Sequence, residues 1–152
     1  MRKCLISIVF SLLLVCTACG NRASTVEVAS SREGLRMTVA GMPDKEHLTL
    51  NIENDIPDAE ILIEGDMDYQ VEVFKNGMWC TVPLKKNLLN SGITSNLDAN
   101  ECASGQSLTQ NVWVGYRYRT LSAGHYRILK NIQINCNGNT DRIVYAAEFD
   151  VS

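Results

Sequence analysis

The sequence predicts an all-β protein, an antiparallel sandwich of about seven to nine short strands, preceded by an apolar leader helix and a flexible polar linker. Three observations predict it. Apolar residues recur with period two through most of the chain after Gly34, the mark of strands with one buried face. Asn76-Gly77 stands between two β-rich runs, and both central residues of a type I′ hairpin turn need positive φ. No stretch carries a convincing 3.6-residue period.

The elements follow in order. Leu35, Met37 and Val39 alternate with Arg36, Thr38 and Ala40, a first strand ending at Gly41 and Pro43. Leu48, Leu50 and Ile52 alternate with Thr49, Asn51 and Glu53. Pro57 breaks that second strand, and a short run from Ile61 to Ile63 follows. Tyr69 to Val82 reads as a hairpin about Asn76-Gly77, and Pro83 ends its second arm. Leu84 to Asn96 is less regular, a loop with room for one short strand. Leu108 to Tyr118 alternates again, with Val112, Val114 and Tyr116 on one face and Trp113 on the other. Leu121 to Lys130 turns a corner into a strand that continues through Ile134. Cys136 to Asp141 is a polar turn, and Ile143 to Val151 is the closing strand.

The start of the chain has a different character. Arg2 and Lys3 precede an apolar run from Leu5 to Val15, and small residues follow. This is the plan of an export signal, and the run is too short for a spanning helix of about 20 residues. Thr17-Ala18 just before Cys19 resembles the lipobox of a bacterial lipoprotein signal. The resemblance implies that Cys19 carries a diacylglycerol and becomes the mature N-terminus. Cys16 stands where such signals usually have Leu, and plain secretion after Ala18 is the competing reading. The expected divisions are a signal peptide over 1–18, a lipidated N-terminus and polar linker over 19–33, and one domain over 34–152. The expected location is the extracytoplasmic face of the cell membrane.

Removing 18 of 152 residues leaves 134, enough for one domain. Arg2 and Lys3 leave with the leader, so 12 of the 14 basic side chains face 17 acidic ones, a net of −5. That sign argues against nucleic acid or an anionic lipid surface as partner. Cys80, Cys102 and Cys136 remain beyond Cys19, an odd number for an exported protein. One disulfide with one free thiol, or three unpaired cysteines, are both open.

Leu121, Gly124 and Tyr126 in LSAGHYR resemble the tyrosine corner of Greek-key sandwiches, in which the Tyr hydroxyl bonds to main chain a few residues upstream. Taken with LTLNIEN, the NGMW hairpin followed by VP, the Tyr-Arg dipeptide and the closing AEFDV, the pattern from Leu48 to Val151 resembles the bacterial Ig-like domain family of exported and lipid-anchored proteins. The resemblance implies an immunoglobulin-like Greek key and transfers no catalytic residue. Ile128 occupies the slot where antibody-type domains have a cysteine, so their inter-sheet disulfide is not expected.

Catalytic signatures are missing. The sequence has no P-loop, HExxH, GxSxG, paired CxxC or dinucleotide glycine motif. His47 and His125 fall in a turn and at the corner, and neither is read as a metal ligand or base. Seven carboxylates from Glu53 to Asp68 (residues 53, 55, 58, 60, 64, 66 and 68) form either a solvated acidic face or loops around Ca²⁺, and their spacing does not match an EF-hand. Alternation would put Arg117 and Arg119 on one face and Tyr116 and Tyr118 on the other. The arginines are then either a polar outer face or a patch for an anionic partner. No enzyme activity, cofactor or metal is expected. The expected role is a non-catalytic binding or spacer module meeting a protein or envelope component. The alternative is a small envelope inhibitor, or an accessory subunit of an enzyme encoded elsewhere.

Overall fold

A computed structural model describes residues 22–29, 31–42, 44–86 and 99–152. The expected signal peptide, Cys19 and most of the loop after Leu84 lie outside those residues.

The described chain forms nine strands and one helical turn: β1 Leu35–Gly41, β2 His47–Asn54, β3 Ala59–Ile63, β4 Gln70–Lys75, β5 Met78–Thr81, β6 Asn100–Cys102, β7 Gln106–Trp113, α1 Val114–Arg117, β8 Gly124–Cys136 and β9 Asn139–Val151. All pairings between strands are antiparallel. They build a three-stranded sheet, β1-β2-β7, against a six-stranded sheet organised on β8. The result is the predicted antiparallel sandwich.

β8 and β9 pair in unbroken register from Gly124↔Val151 to Cys136↔Asn139. Asn137 and Gly138 turn the hairpin with φ of 51° and 77°, the type I′ chemistry also seen at Asn76 (52°) and Gly77 (80°). On its other edge β8 is met by two strands placed end to end. β4 pairs its first half, Gln70↔Leu129 to Val73↔Tyr126, and β3 its second half, Ala59↔Cys136 to Ile63↔Ile132. The acidic loop from Glu64 to Asp68 separates β3 from β4.

The core follows from the alternation. Leu48, Leu50 and Ile52 from one sheet face Ile61, Ile63, Val71, Ile128, Ile132 and Ile134 from the other, each 1% exposed or less. Burying such side chains is worth roughly 1.5–3 kcal/mol each. Asn54 and Gln110 are polar exceptions on these faces. The Asn54 amide donates to the carbonyls of Ala59 (3.0 Å) and Cys102 (2.9 Å), tying β2 to β3 and β6.

Two expectations are corrected. The strand expected to run to Tyr118 stops at Trp113. Gly115 lies directly on Glu46, where an added Cβ would come within 2.8 Å of the Glu46 side chain, and its N–H donates to the Glu46 carbonyl at 2.9 Å. The close approach coils the chain into α1, so the alternation fails. Tyr116 is exposed while Tyr118 is buried, its hydroxyl accepting from Val71 N–H at 3.0 Å.

The polar segment expected to be a flexible linker is held on the domain over its described part. Ala23 bridges Cys80, Thr81 N–H donates to the Arg22 carbonyl (2.9 Å), and Ser24 N–H donates to the Trp79 carbonyl (2.9 Å). Farther on, Ala29 N–H donates to the Val144 carbonyl on β9 (2.9 Å). The segment therefore straps across the outer face of the larger sheet, from the edge of β5 to β9.

Candidate functional site

Among the described residues, the strap covers the place where this sheet's outer face is buried. Alternation points Gln70 and Glu72 of β4, and Arg127 and Leu129 of β8, away from the core. Leu129 is nonetheless 3% exposed and Glu72 0% exposed. The Glu72 carboxylate is fully partnered. One oxygen accepts from Arg127 Nε (2.8 Å) and Nη2 (2.6 Å). The other accepts from Gln70 Nε2 (2.8 Å) and from the Ser24 hydroxyl on the strap. The Arg127 guanidinium also lies 4.4 Å over the Trp79 ring. A buried charge pair persists where geometry is good and the remaining lone pairs are satisfied, and both conditions hold here.

Beside this node a cleft of about 350 Å³ opens between the strap and the β3–β4 loop, lined by Val26, Glu64, Asp68, Gln70, Arg117 and Lys130 among others. Lys130 is 1% exposed and donates to the Gly65 carbonyl at 2.6 Å. Burial pulls its ammonium down to about 8, against the opposing pull of Asp66, Glu64 and Asp68. Arg117 donates to the carbonyls of Met67 (3.0 Å) and Tyr69 (2.9 Å) and lies 5.3 Å over the Tyr69 ring. Both cations are thus engaged in holding the acidic loop to the sandwich. The cleft has charge of both signs, Arg117 and Lys130 against Glu64 and Asp68.

The residues singled out from the sequence are dispersed. The Tyr126 hydroxyl donates to the Ser122 carbonyl at 2.9 Å, Leu121 is buried, and a Cβ at Gly124 would press on the Tyr126 ring at 3.2 Å. This is a structural corner. Arg117 and Arg119 do not share a strand face, because α1 rotates one against the other, and Arg117 is held by backbone carbonyls. Arg119 is exposed beside Pro83, Leu84 and Thr120.

Cys80, Cys102 and Cys136 are free thiols. Cys102 and Cys136 flank β3 from opposite sides, opposite Ile61 and Ala59. Two strand spacings of roughly 4.8 Å separate their backbones, beyond the ~7 Å that a disulfide spans. Cys80 lies on β5, in the other half of the sheet.

The carboxylates of the acidic stretch do not converge. Glu53 pairs with Arg36 at 3.4 Å and Glu64 accepts from Asn131 at 2.8 Å. Among the described residues no group of three or more His, Cys, Asp or Glu side chains is placed to hold a metal ion. His47 stacks on Trp113 with ring centroids 5.8 Å apart. His125 lies between Asp150 (2.8 Å) and Glu148 (2.9 Å), and these hydrogen bonds hold its pKa above the ordinary imidazole value.

Sequence reasoning missed the strap and the Glu72–Arg127 pair. The pair joins residues 55 apart, and only the β4–β8 register brings them together. A weak signal for the strap was present: Val26 and Val28 are spaced by two within an otherwise polar stretch.

No curated protein matches the sequence. A family model described as a bacterial Ig-like domain matches residues 31–150, from before β1 to the penultimate residue of β9, and the chain belongs to that family.

Proposed function

We propose that this is an exported, lipid-anchored bacterial protein whose single Ig-like domain is a non-catalytic binding or spacer module on the outer side of the cell membrane. The observation that carries the reading is the leader: a cationic start, an apolar run from Leu5 to Val15, and Thr17-Ala18 immediately before Cys19. The domain supports the non-catalytic part. Among the described residues four polar side chains are buried: Asn54, Glu72 and Lys130 are bound to main chain, to Arg127 or to the strap, and Gln110 donates to the Glu64 carbonyl at 3.1 Å. Contact with a protein or envelope component falls to loops and sheet edges, as suits a sandwich.

The test is fractionation with acyl labelling. The wild-type chain incorporates labelled palmitate and sediments with membranes. Cys19→Ala loses the label and passes to the aqueous fraction or the medium. Unchanged membrane partition of Cys19→Ala overturns the anchor. Cross-linking in intact cells, read by mass spectrometry, then identifies what the domain touches.

A further inference from the structure

We infer that the domain does not stand off from the bilayer but lies on it, by the flank where β5 and β7 end, with Trp113, Tyr116 and Met67 entering the headgroup layer. The inference rests on the anchor reading above and adds the partner surface to it.

Chain length makes the first argument. Arg22 is already fixed, its carbonyl accepting from Thr81 N–H at 2.9 Å. Only Gly20 and Asn21 separate it from Cys19. At about 3.3–3.6 Å per residue, the three steps from Cys19 to Arg22 reach about 10 Å, little more than the polar layer on one side of a bilayer, roughly 5–8 Å. The edge of β5 is therefore kept at the membrane surface.

Direction makes the second. The strap runs antiparallel to β5, with Ala23 opposite Cys80 and Ser24 bonded to Trp79. Followed back toward Cys19, it heads the way β5 heads, toward Val82 and Lys85. Lys85 N–H donates to the Arg117 carbonyl at 2.9 Å, and its ammonium is bonded to the Gly115 carbonyl. The exit of the tether and α1 thus share one flank.

What that flank exposes is the third. Trp113, Tyr116 and Met67 are 45%, 38% and 37% exposed. The Trp113 and Tyr116 rings lie 5.5 Å apart, and Arg117 binds the Met67 carbonyl at 3.0 Å, which makes the three one neighbourhood. Indole and phenol rings favour the headgroup level, where one end is apolar and the other wet. Glu46 lies against Gly115 and Asp66 precedes Met67, while Lys85 and Arg117 share the flank, so its charge is mixed and the contact is read as an apolar one. It is a weak apolar contact, populated because the tether confers an effective concentration in the millimolar range. Phe74 and Met78, each 44% exposed, lie at the opposite end of the β4–β5 hairpin, away from the exit.

The two tryptophans provide the test. Full-length lipidated protein is reconstituted in phosphatidylcholine vesicles with lipids carrying a quencher at headgroup depth. Trp79→Phe leaves Trp113 as the only tryptophan, and Trp113→Phe leaves Trp79. Flotation with the vesicles reports the anchor separately. Trp113 is expected to be quenched at least about twofold more than Trp79 and to shift to the blue. Should Trp79→Phe not fold, hydrogen exchange of the wild-type protein on vesicles takes its place, with amides 66–69 and 113–118 protected relative to Cys19→Ala in solution. Protein that floats with Trp113 quenched no more than Trp79, or with those amides unprotected, overturns the docking and leaves the anchor standing. Protein that does not float overturns both.

Discussion

Removing the Glu72 carboxylate should be among the most damaging single changes to this domain. Glu72 is 0% exposed, and the Arg127 side chain facing it is 12% exposed. Glu72→Ala leaves a guanidinium under the strap with no counter-charge and leaves Gln70 Nε2 and the Ser24 hydroxyl without their acceptor. Breaking a buried pair from one side costs about 3–5 kcal/mol, against a total stability of about 5–15 kcal/mol for a domain. Glu72→Met combined with Arg127→Met removes both charges and keeps side-chain volume. It should recover at least about 2 kcal/mol relative to Glu72→Ala, because most of the single-variant cost is the orphaned charge. The assay is urea unfolding of the leaderless soluble chain followed by tryptophan fluorescence, with hydrogen exchange of the strap amides alongside. Trp79 is a local reporter, since the Arg127 guanidinium lies 4.4 Å over its ring. A cost below about 1 kcal/mol for Glu72→Ala, or a double variant no better than the single one, would refute the account of this node.

Three further outcomes follow from the same geometry. Titration of a denatured soluble chain that begins after Cys19 with Ellman's reagent should find three thiols without reductant, since Cys80, Cys102 and Cys136 are free; finding only one would demand a bridge among strands whose spacing keeps Cys102 and Cys136 apart and places Cys80 in the other half of the sheet. Lys130 has a folded value near 8, below its ordinary 10.5, so the unfolded chain binds more protons between those values and the Lys130 contribution to stability rises with pH there. At full displacement this amounts to about 3 kcal/mol. Lys130→Met should therefore be most advantageous below pH 8 and lose that advantage by pH 10, and a gap constant with pH in denaturant titrations would contradict the burial argument. His125, flanked by Asp150 and Glu148, should titrate above 6.5 by NMR and fall back toward the ordinary value when both acids are neutralised as Asp150→Asn and Glu148→Gln. An unmoved midpoint would count against the flanking hydrogen bonds.

Much of the fold was legible because a sandwich advertises itself locally. The alternation at Leu48, Leu50 and Ile52 specifies which face is buried without knowledge of the partner sheet. Asn76-Gly77 specifies its hairpin by backbone sterics alone. The reading failed where a distant contact outvoted the local pattern. Val112, Val114 and Tyr116 alternate in sequence, yet Gly115 seated on Glu46 coils that segment and turns Tyr116 outward. The strap failed to register for a related reason. Its side chains are small and polar, and what holds it is hydrogen bonding to β5, β9 and Glu72.

The sequence by itself determined the all-β class, the position of the hairpins and the corner at Tyr126, because each depends on residues close to one another in the chain. Only the tertiary structure decided which strands neighbour β8, that Glu72 meets Arg127, that Lys130 is buried beneath the acidic loop, and that the segment after Arg22 is clamped to the domain. Those outcomes depend on strand register and sheet order. Alternation reports a strand's buried face but not its neighbour, so pairs brought together across 50 or more residues carry no local trace.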